Sequence, residues 1–102
     1  MLHGDALFEI RESLDGACLV AVGEIDMSSG PAFAAAISRM MSTRGEVVVD
    51  MSGVSFMDSS GLNVLCTAAQ QGPVRLCQLQ DQVRHLLALT GLENTFAELK
   101  SA

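Results

Sequence analysis

Apolar positions change their period several times along the chain, and each change marks an element. Phe8 and Ile10 alternate with Glu9 and Arg11, the period-two pattern of a strand with one wet face. Asp15-Gly16 follows as a tight turn, and 17–23 (ACLVAVG) reads as a second, more buried strand. The two predict an antiparallel hairpin. Ser28 or Ser29 caps a helix, and Pro31 suits its first turn. Phe33, Ile37, Met40 and Met41 then recur at helical spacing until Gly45 ends the segment. Residues 46–51 (EVVVDM) are too short a run for a helix and apolar on both faces, like a central parallel strand. A loop over 52–58 leads to a second helix near Ser59, with Leu62, Leu65, Cys66 and Ala69 on one face and Gly72-Pro73 as its stop. Residues 74–79 read as a fourth strand. Residues 81–91 read as a third helix with Val83, Leu86, Leu87 and Thr90 inward. Leu92, Phe96 and Leu99 repeat at helical spacing and predict a last helix.

The order β-β-α-β-α-β-α-α predicts an α/β fold. It has a mixed sheet of four to five strands, opened by the antiparallel hairpin and continued by alternating parallel strands and helices. In open α/β sheets function gathers at the carboxyl ends of the parallel strands. That rule selects two loops, 23–29 and 52–61.

Composition narrows the function. The chain has 102 residues, which suits a single domain over 1–102. Hydrophobic residues make up 49% and charged residues 18%, enough apolar material for one core. Six Lys and Arg face twelve Asp and Glu, a net charge of −6. Neither a nucleic-acid backbone nor an anionic membrane surface is an expected partner. No apolar run approaches the ~20 residues of a membrane span, and the N-terminus lacks a signal-peptide pattern. A cytoplasmic location follows. Cys18, Cys66 and Cys77 each lie in an apolar run without a Cys-x-x-Cys, and read as buried small hydrophobes in a reducing compartment. His3 and His85 have no second ligand at a recognisable spacing. No metal site and no cofactor are expected.

Asp58-Ser59-Ser60-Gly61 stands where the third strand's loop meets a helix start. Such a start exposes N–H donors and a partial positive charge, which together stabilise a phosphate. Capping by Asp58 or Ser59 is the plain structural role of the same residues. A hydrolase can also be assembled, with Ser59 as nucleophile, His85 as base and Asp81 as its orienter. However, Met57-Asp58-Ser59-Ser60-Gly61 lacks the first glycine of G-x-S-x-G, and Asp81 and His85 at i,i+4 suit a solvated helix face. No catalytic residue is assigned.

Three blocks resemble the STAS domain family, above all its stand-alone bacterial anti-sigma factor antagonists. They are Gly23-Glu24-Ile25-Asp26, the stretch from Val48-Val49-Asp50 to Phe56-Met57-Asp58-Ser59-Ser60-Gly61-Leu62, and 83–96 (VRHLLALTGLENTF). Asn63 stands where a small glycine is common in the family. The resemblance implies an antagonist that binds an ATP-dependent anti-sigma factor serine kinase and frees the sigma factor, as in stress response or sporulation. The kinase would phosphorylate Ser59, with Ser60 as second choice, and a metal-dependent serine phosphatase would reset it. It implies a partner surface of Asp26, Met57, Asp58, Ser59, Ser60 and Gly61, with Met57 taken as an exposed loop residue. STAS domains also serve as adaptor subunits of transport ATPases and other signalling complexes, which stands as the alternative.

Overall fold

The computed structural model describes residues 6–14 and 16–99, with the backbone alone described for 97–99. His3, Asp15 and Lys100 lie outside the described residues. Strands β1 (Leu7–Ser13) and β2 (Gly16–Ile25) form the expected antiparallel hairpin. Helix α1 (Gly30–Arg44), β3 (Val47–Met57), α2 (Ser59–Ala69), β4 (Val74–Cys77), α3 (Asp81–Leu89) and β5 (Ala97–Leu99) follow. The sheet order is β1-β2-β3-β4-β5, and every pair after the hairpin is parallel.

The core forms where one face of the sheet meets α1 and α2. Leu19, Ala21 and Ile25 of β2 and Val47, Val49, Met51, Val54 and Met57 of β3 are fully buried. Phe33 and Met40 of α1 and Leu65 of α2 close over them. Burial of each such side chain is worth about 1.5–3 kcal/mol. Phe8 of β1 packs on the core and stacks on Phe33 at 5.1 Å between ring centroids.

The ends of β2 and β3 run further than the sequence pattern suggested. Strand β3 continues through 52–57, the stretch expected as a loop, because the end of β2 runs beside it. Glu24 lies opposite Phe56 and Ile25 opposite Met57. Two register shifts between β2 and β3, each with its extra residue in β3, blur the apolar alternation of β3 that would have revealed this. Gly23 sits at one of them with φ +108, and a Cβ there would meet Ala6 Cα at 2.9 Å. Only glycine suits that backbone.

Beyond β4 the outer edge of β3 has no strand partner, and α3 covers it instead. Gln82 Oε1 accepts the Met57 N–H at 2.9 Å, and Gln82 Nε2 donates to Met57 O at 3.0 Å. Gln80 Nε2 donates to Ser52 O at 2.6 Å. The amides of these two glutamines thus complete the ladder where main chain is missing.

The predicted last helix is a correction. Helix α3 stops at Leu89, Gly91 takes φ +74, and Thr95 N–H closes a turn on Leu92 O. Phe96 drops into the core at 1% exposure, and 97–99 pair with β4 as β5. The free edge of β4 offers the tail main-chain hydrogen bonds that a short isolated helix would forgo. Thr90, expected inward, is exposed with its hydroxyl donating to Leu86 O at 2.9 Å. The three cysteines are half-buried rather than buried.

Candidate functional site

The site is built twice from one pattern: a parallel strand ends, an aspartate follows, and a helix begins. After β2, Asp26 Oδ1 accepts the Ser28 N–H at 3.0 Å, the Ser28 hydroxyl at 2.8 Å and the Ser29 N–H at 3.1 Å. Asp26 O accepts the Gly30 N–H at 2.8 Å. Ser29 is the N-cap residue of α1, but its hydroxyl does not cap. It donates to Glu24 O at 2.8 Å and accepts the Asp26 N–H at 2.9 Å, tying the loop back to the strand. Asp26 therefore takes over the anchoring of this helix start. The Ser28 hydroxyl first, and then the Ser29 and Ser28 N–H groups, hold its carboxyl below the ordinary range.

After β3, Asp58 is the N-cap of α2. Its Oδ1 accepts the Ser60 N–H at 2.8 Å, and its carbonyl accepts the Gly61 and Leu62 N–H groups at 3.1 and 3.2 Å. The first turn of α2 was expected to keep its donors open for a phosphate. Asp58 already engages those of Ser60, Gly61 and Leu62.

The two starts are neighbours. Asp58 N–H donates to Ile25 O at 3.1 Å, which joins the end of β3 to the residue before Asp26. A Cβ placed on Gly30, at the start of α1, would stand 3.7 Å from Ser60 Cβ, at the start of α2. Asp26 and Asp58 thus meet at one end of the sheet, as their positions after adjacent parallel strands implied.

The predicted residues divide by exposure. Ser59 is exposed, and Asp26, Asp58 and Ser60 are half-buried. Met57 is fully buried, not an exposed loop residue, because it is the last residue of β3 and faces the core. Gly61 is buried above it. A Cβ on Gly61 would lie 2.5 Å from Met57 Cγ, 2.7 Å from Met57 Sδ and 2.9 Å from Ile25 Cγ2. Glycine here lets the first turn of α2 rest directly on the ends of β2 and β3. Met57 and Gly61 therefore shape the site from below and offer no side chain to a partner.

Sequence reasoning passed over Met27, which is 81% exposed between Asp26 and Ser28. An apolar residue in a turn of polar neighbours was the available signal. It also passed over Gln82, whose role depends on where β4 ends and has no sequence signature. Asp81 and His85 are both exposed on α3, and among the described residues no hydrogen bond joins His85 to Asp81 or Ser59.

Residues 8–102 match the STAS domain family. The chain belongs to the STAS domain family. Among solved structures it is similar to an anti-sigma factor antagonist from Mycobacterium paratuberculosis at 26% identity and a TM-score of 0.82. That match covers 95% of this chain and 89% of the other. It is similar to the antagonist SpoIIAA in unphosphorylated form at 19% identity and TM-score 0.77, over 94% of this chain and 89% of that one. The phosphorylated form of Bacillus SpoIIAA matches at 18% and TM-score 0.68, over 94% and 92%. At those two identities the likeness is one of fold. This STAS chain thus has the mixed α/β fold of SpoIIAA, and in this chain Asp26 anchors the start of α1 while Asp58 caps α2 at the carboxyl ends of β2 and β3. Among the described residues no helix is long and apolar enough to cross a membrane.

Proposed function

We propose that the chain is a cytoplasmic anti-sigma factor antagonist controlled by phosphorylation of Ser59. The unphosphorylated form binds an anti-sigma factor that is also a serine kinase, and the sigma factor is released. The kinase then transfers phosphate to Ser59, the complex separates, and a metal-dependent serine phosphatase restores the binding form. The chain supplies the acceptor and the docking surface, and the kinase supplies the catalysis.

The observation that carries this reading is the position of Ser59. It is exposed, opens α2, and follows Asp58 where two aspartates meet. A phosphoserine adds about −1.5 to −2 charges at neutral pH. With Asp58 holding the Ser60, Gly61 and Leu62 N–H groups, that charge is added beside carboxylates rather than into an empty cradle. Like charge and bulk on a docked surface both weaken binding. Ser60 is the poorer acceptor, since it is half-buried against the start of α1.

The test is phosphorylation by the cognate anti-sigma kinase and ATP, located by peptide mass spectrometry. One phosphate on Ser59, absent from Ser59→Ala, is expected. The modified chain should lose the kinase complex on a sizing column. Undiminished labelling of Ser59→Ala would reassign the acceptor, and an unlabelled chain that never binds a kinase would end this reading.

A further inference from the structure

Met27 stands in the turn between β2 and α1, and its side chain is 81% exposed. The turn is closed around it. Asp26 Oδ1 accepts the Ser28 and Ser29 N–H groups at 3.0 and 3.1 Å, and the Ser29 hydroxyl accepts the Asp26 N–H at 2.9 Å. Asp26 O accepts the Gly30 N–H at 2.8 Å. The main chain on either side of Met27 is therefore held while its side chain reaches water. At that exposure the side chain adds little apolar burial to its own fold.

The same bonds fix where Met27 lies. Ile25 O accepts the Asp58 N–H at 3.1 Å. Met27 is two residues beyond one end of that bond, and Ser59 is one residue beyond the other. Both side chains are exposed at one end of the sheet. The other described methionines differ: Met40, Met41, Met51 and Met57 are at 8% exposure or less. An oxidant dissolved in water meets the thioether of Met27, while the core shelters the rest.

We propose that Met27 is an oxidation-sensitive apolar contact of the surface that carries Ser59, and that a hydroperoxide releases the docked partner by converting Met27 to its sulfoxide. The partner is the anti-sigma kinase of the proposed function, so the proposal rests on that reading. In the step, a sulfur lone pair attacks one peroxide oxygen. A sulfur–oxygen bond forms and the oxygen–oxygen bond breaks. The hydroxyl proton passes to the departing oxygen, which leaves as an alcohol, or as water from hydrogen peroxide. Sulfur loses two electrons, the peroxide gains them, and the charge of the chain is unchanged.

The product is a polar, chiral side chain in place of a flexible apolar one. Its oxygen must shed water to enter an apolar contact. Losing the burial of one methionine weakens binding by roughly 10–100-fold. Phosphate at Ser59 acts through charge and bulk, whereas the sulfoxide acts through polarity on the adjoining loop. Reduction restores the thioether, each sulfoxide epimer by its own reductase.

The experiment oxidises the full chain alone with hydrogen peroxide and removes the oxidant. Affinity for the cognate anti-sigma kinase is then measured in ADP, so that no phosphate is transferred. Peptide mass spectrometry should find one added oxygen on Met27 and none on Met40, Met41, Met51 or Met57, with an unchanged thermal midpoint. The oxidised chain should bind roughly 10–100-fold more weakly, and both sulfoxide reductases together should restore it. The affinity of Met27→Leu, whatever its starting value, should not change with peroxide. Three results overturn the proposal: oxidation of the buried methionines ahead of Met27, unchanged affinity of the Met27 sulfoxide form, or an equal peroxide-dependent loss in Met27→Leu. Failure of the antagonist reading is distinguishable, because the untreated chain then binds no kinase, and the proposal falls with it.

Discussion

Gly61→Ala sets two ordinary effects against each other. Inside a helix, alanine replaces glycine with a gain of about 0.5–1 kcal/mol, because less backbone entropy is lost on folding. Here the new methyl would stand 2.5 Å from Met57 Cγ, 2.7 Å from Met57 Sδ and 2.9 Å from Ile25 Cγ2. Both neighbours are fully buried, so neither can swing into solvent. Overpacking of this kind costs about 1–3 kcal/mol. The larger effect wins, and a net loss of roughly 1–2 kcal/mol is expected. At about 4–8 °C per kcal/mol for a domain near 100 residues, the midpoint should fall by roughly 4–16 °C. Thermal and urea denaturation followed by circular dichroism measure it. Met57→Ala alone should cost about 2–5 kcal/mol through the cavity it leaves. The double variant should cost less than the sum, since each change makes room for the other. A Gly61→Ala midpoint at or above wild type, or strict additivity in the double variant, would refute the packing account of this glycine.

Asp58→Ala removes the N-cap of α2 and should cost about 1 kcal/mol in urea unfolding, with faster amide exchange at Ser60. Gln82→Leu leaves the Met57 N–H and C=O without partners, so roughly 1–3 kcal/mol of stability and the slow exchange of the Met57 amide should both be lost. Asp26 has a lowered carboxyl in the folded chain, so its contribution is complete above the unfolded value and disappears as pH falls through the folded one. Asp26→Asn should therefore flatten the acid limb of the stability curve, and an unchanged limb would remove Asp26 from the helix start.

The pattern of apolar positions located the hairpin, three helices and the parallel arrangement, because each of those elements carries its own period. It failed where another part of the chain decides the outcome. Residues 52–57 form strand only because β2 runs on beside them, with β3 bulging twice to stay in register, and 97–99 form strand only because β4 leaves an edge open. The site was legible to the extent that capping is local. Asp58 before a helix start and Asp26 after a strand are both visible in the sequence, and both bond the N–H groups beside them. The orientation of Met57 was not legible, since its place as the inward residue ending β3 depends on the strand reaching that far.

The two aspartates act first on their own chain. Each carboxylate is taken up by the helix start that follows it, and each carbonyl accepts the next donors. This fixes two loops that would otherwise be free to move, and it joins them through the Asp58 to Ile25 bond. Exposed on that frame are the Ser59 and Ser28 side chains and the Met27 side chain at 81% exposure. A partner meeting this end of the sheet would therefore encounter a preset arrangement that includes the Ser28 and Ser59 side chains, the Met27 side chain and two half-buried carboxylates. Binding such a surface requires little ordering of the chain, which favours affinity from a small contact. It also makes the surface sensitive to charge. A group that adds nearly two negative charges at Ser59 would find the Ser60, Gly61 and Leu62 N–H groups already engaged by Asp58, and its effect would fall on whatever is docked there.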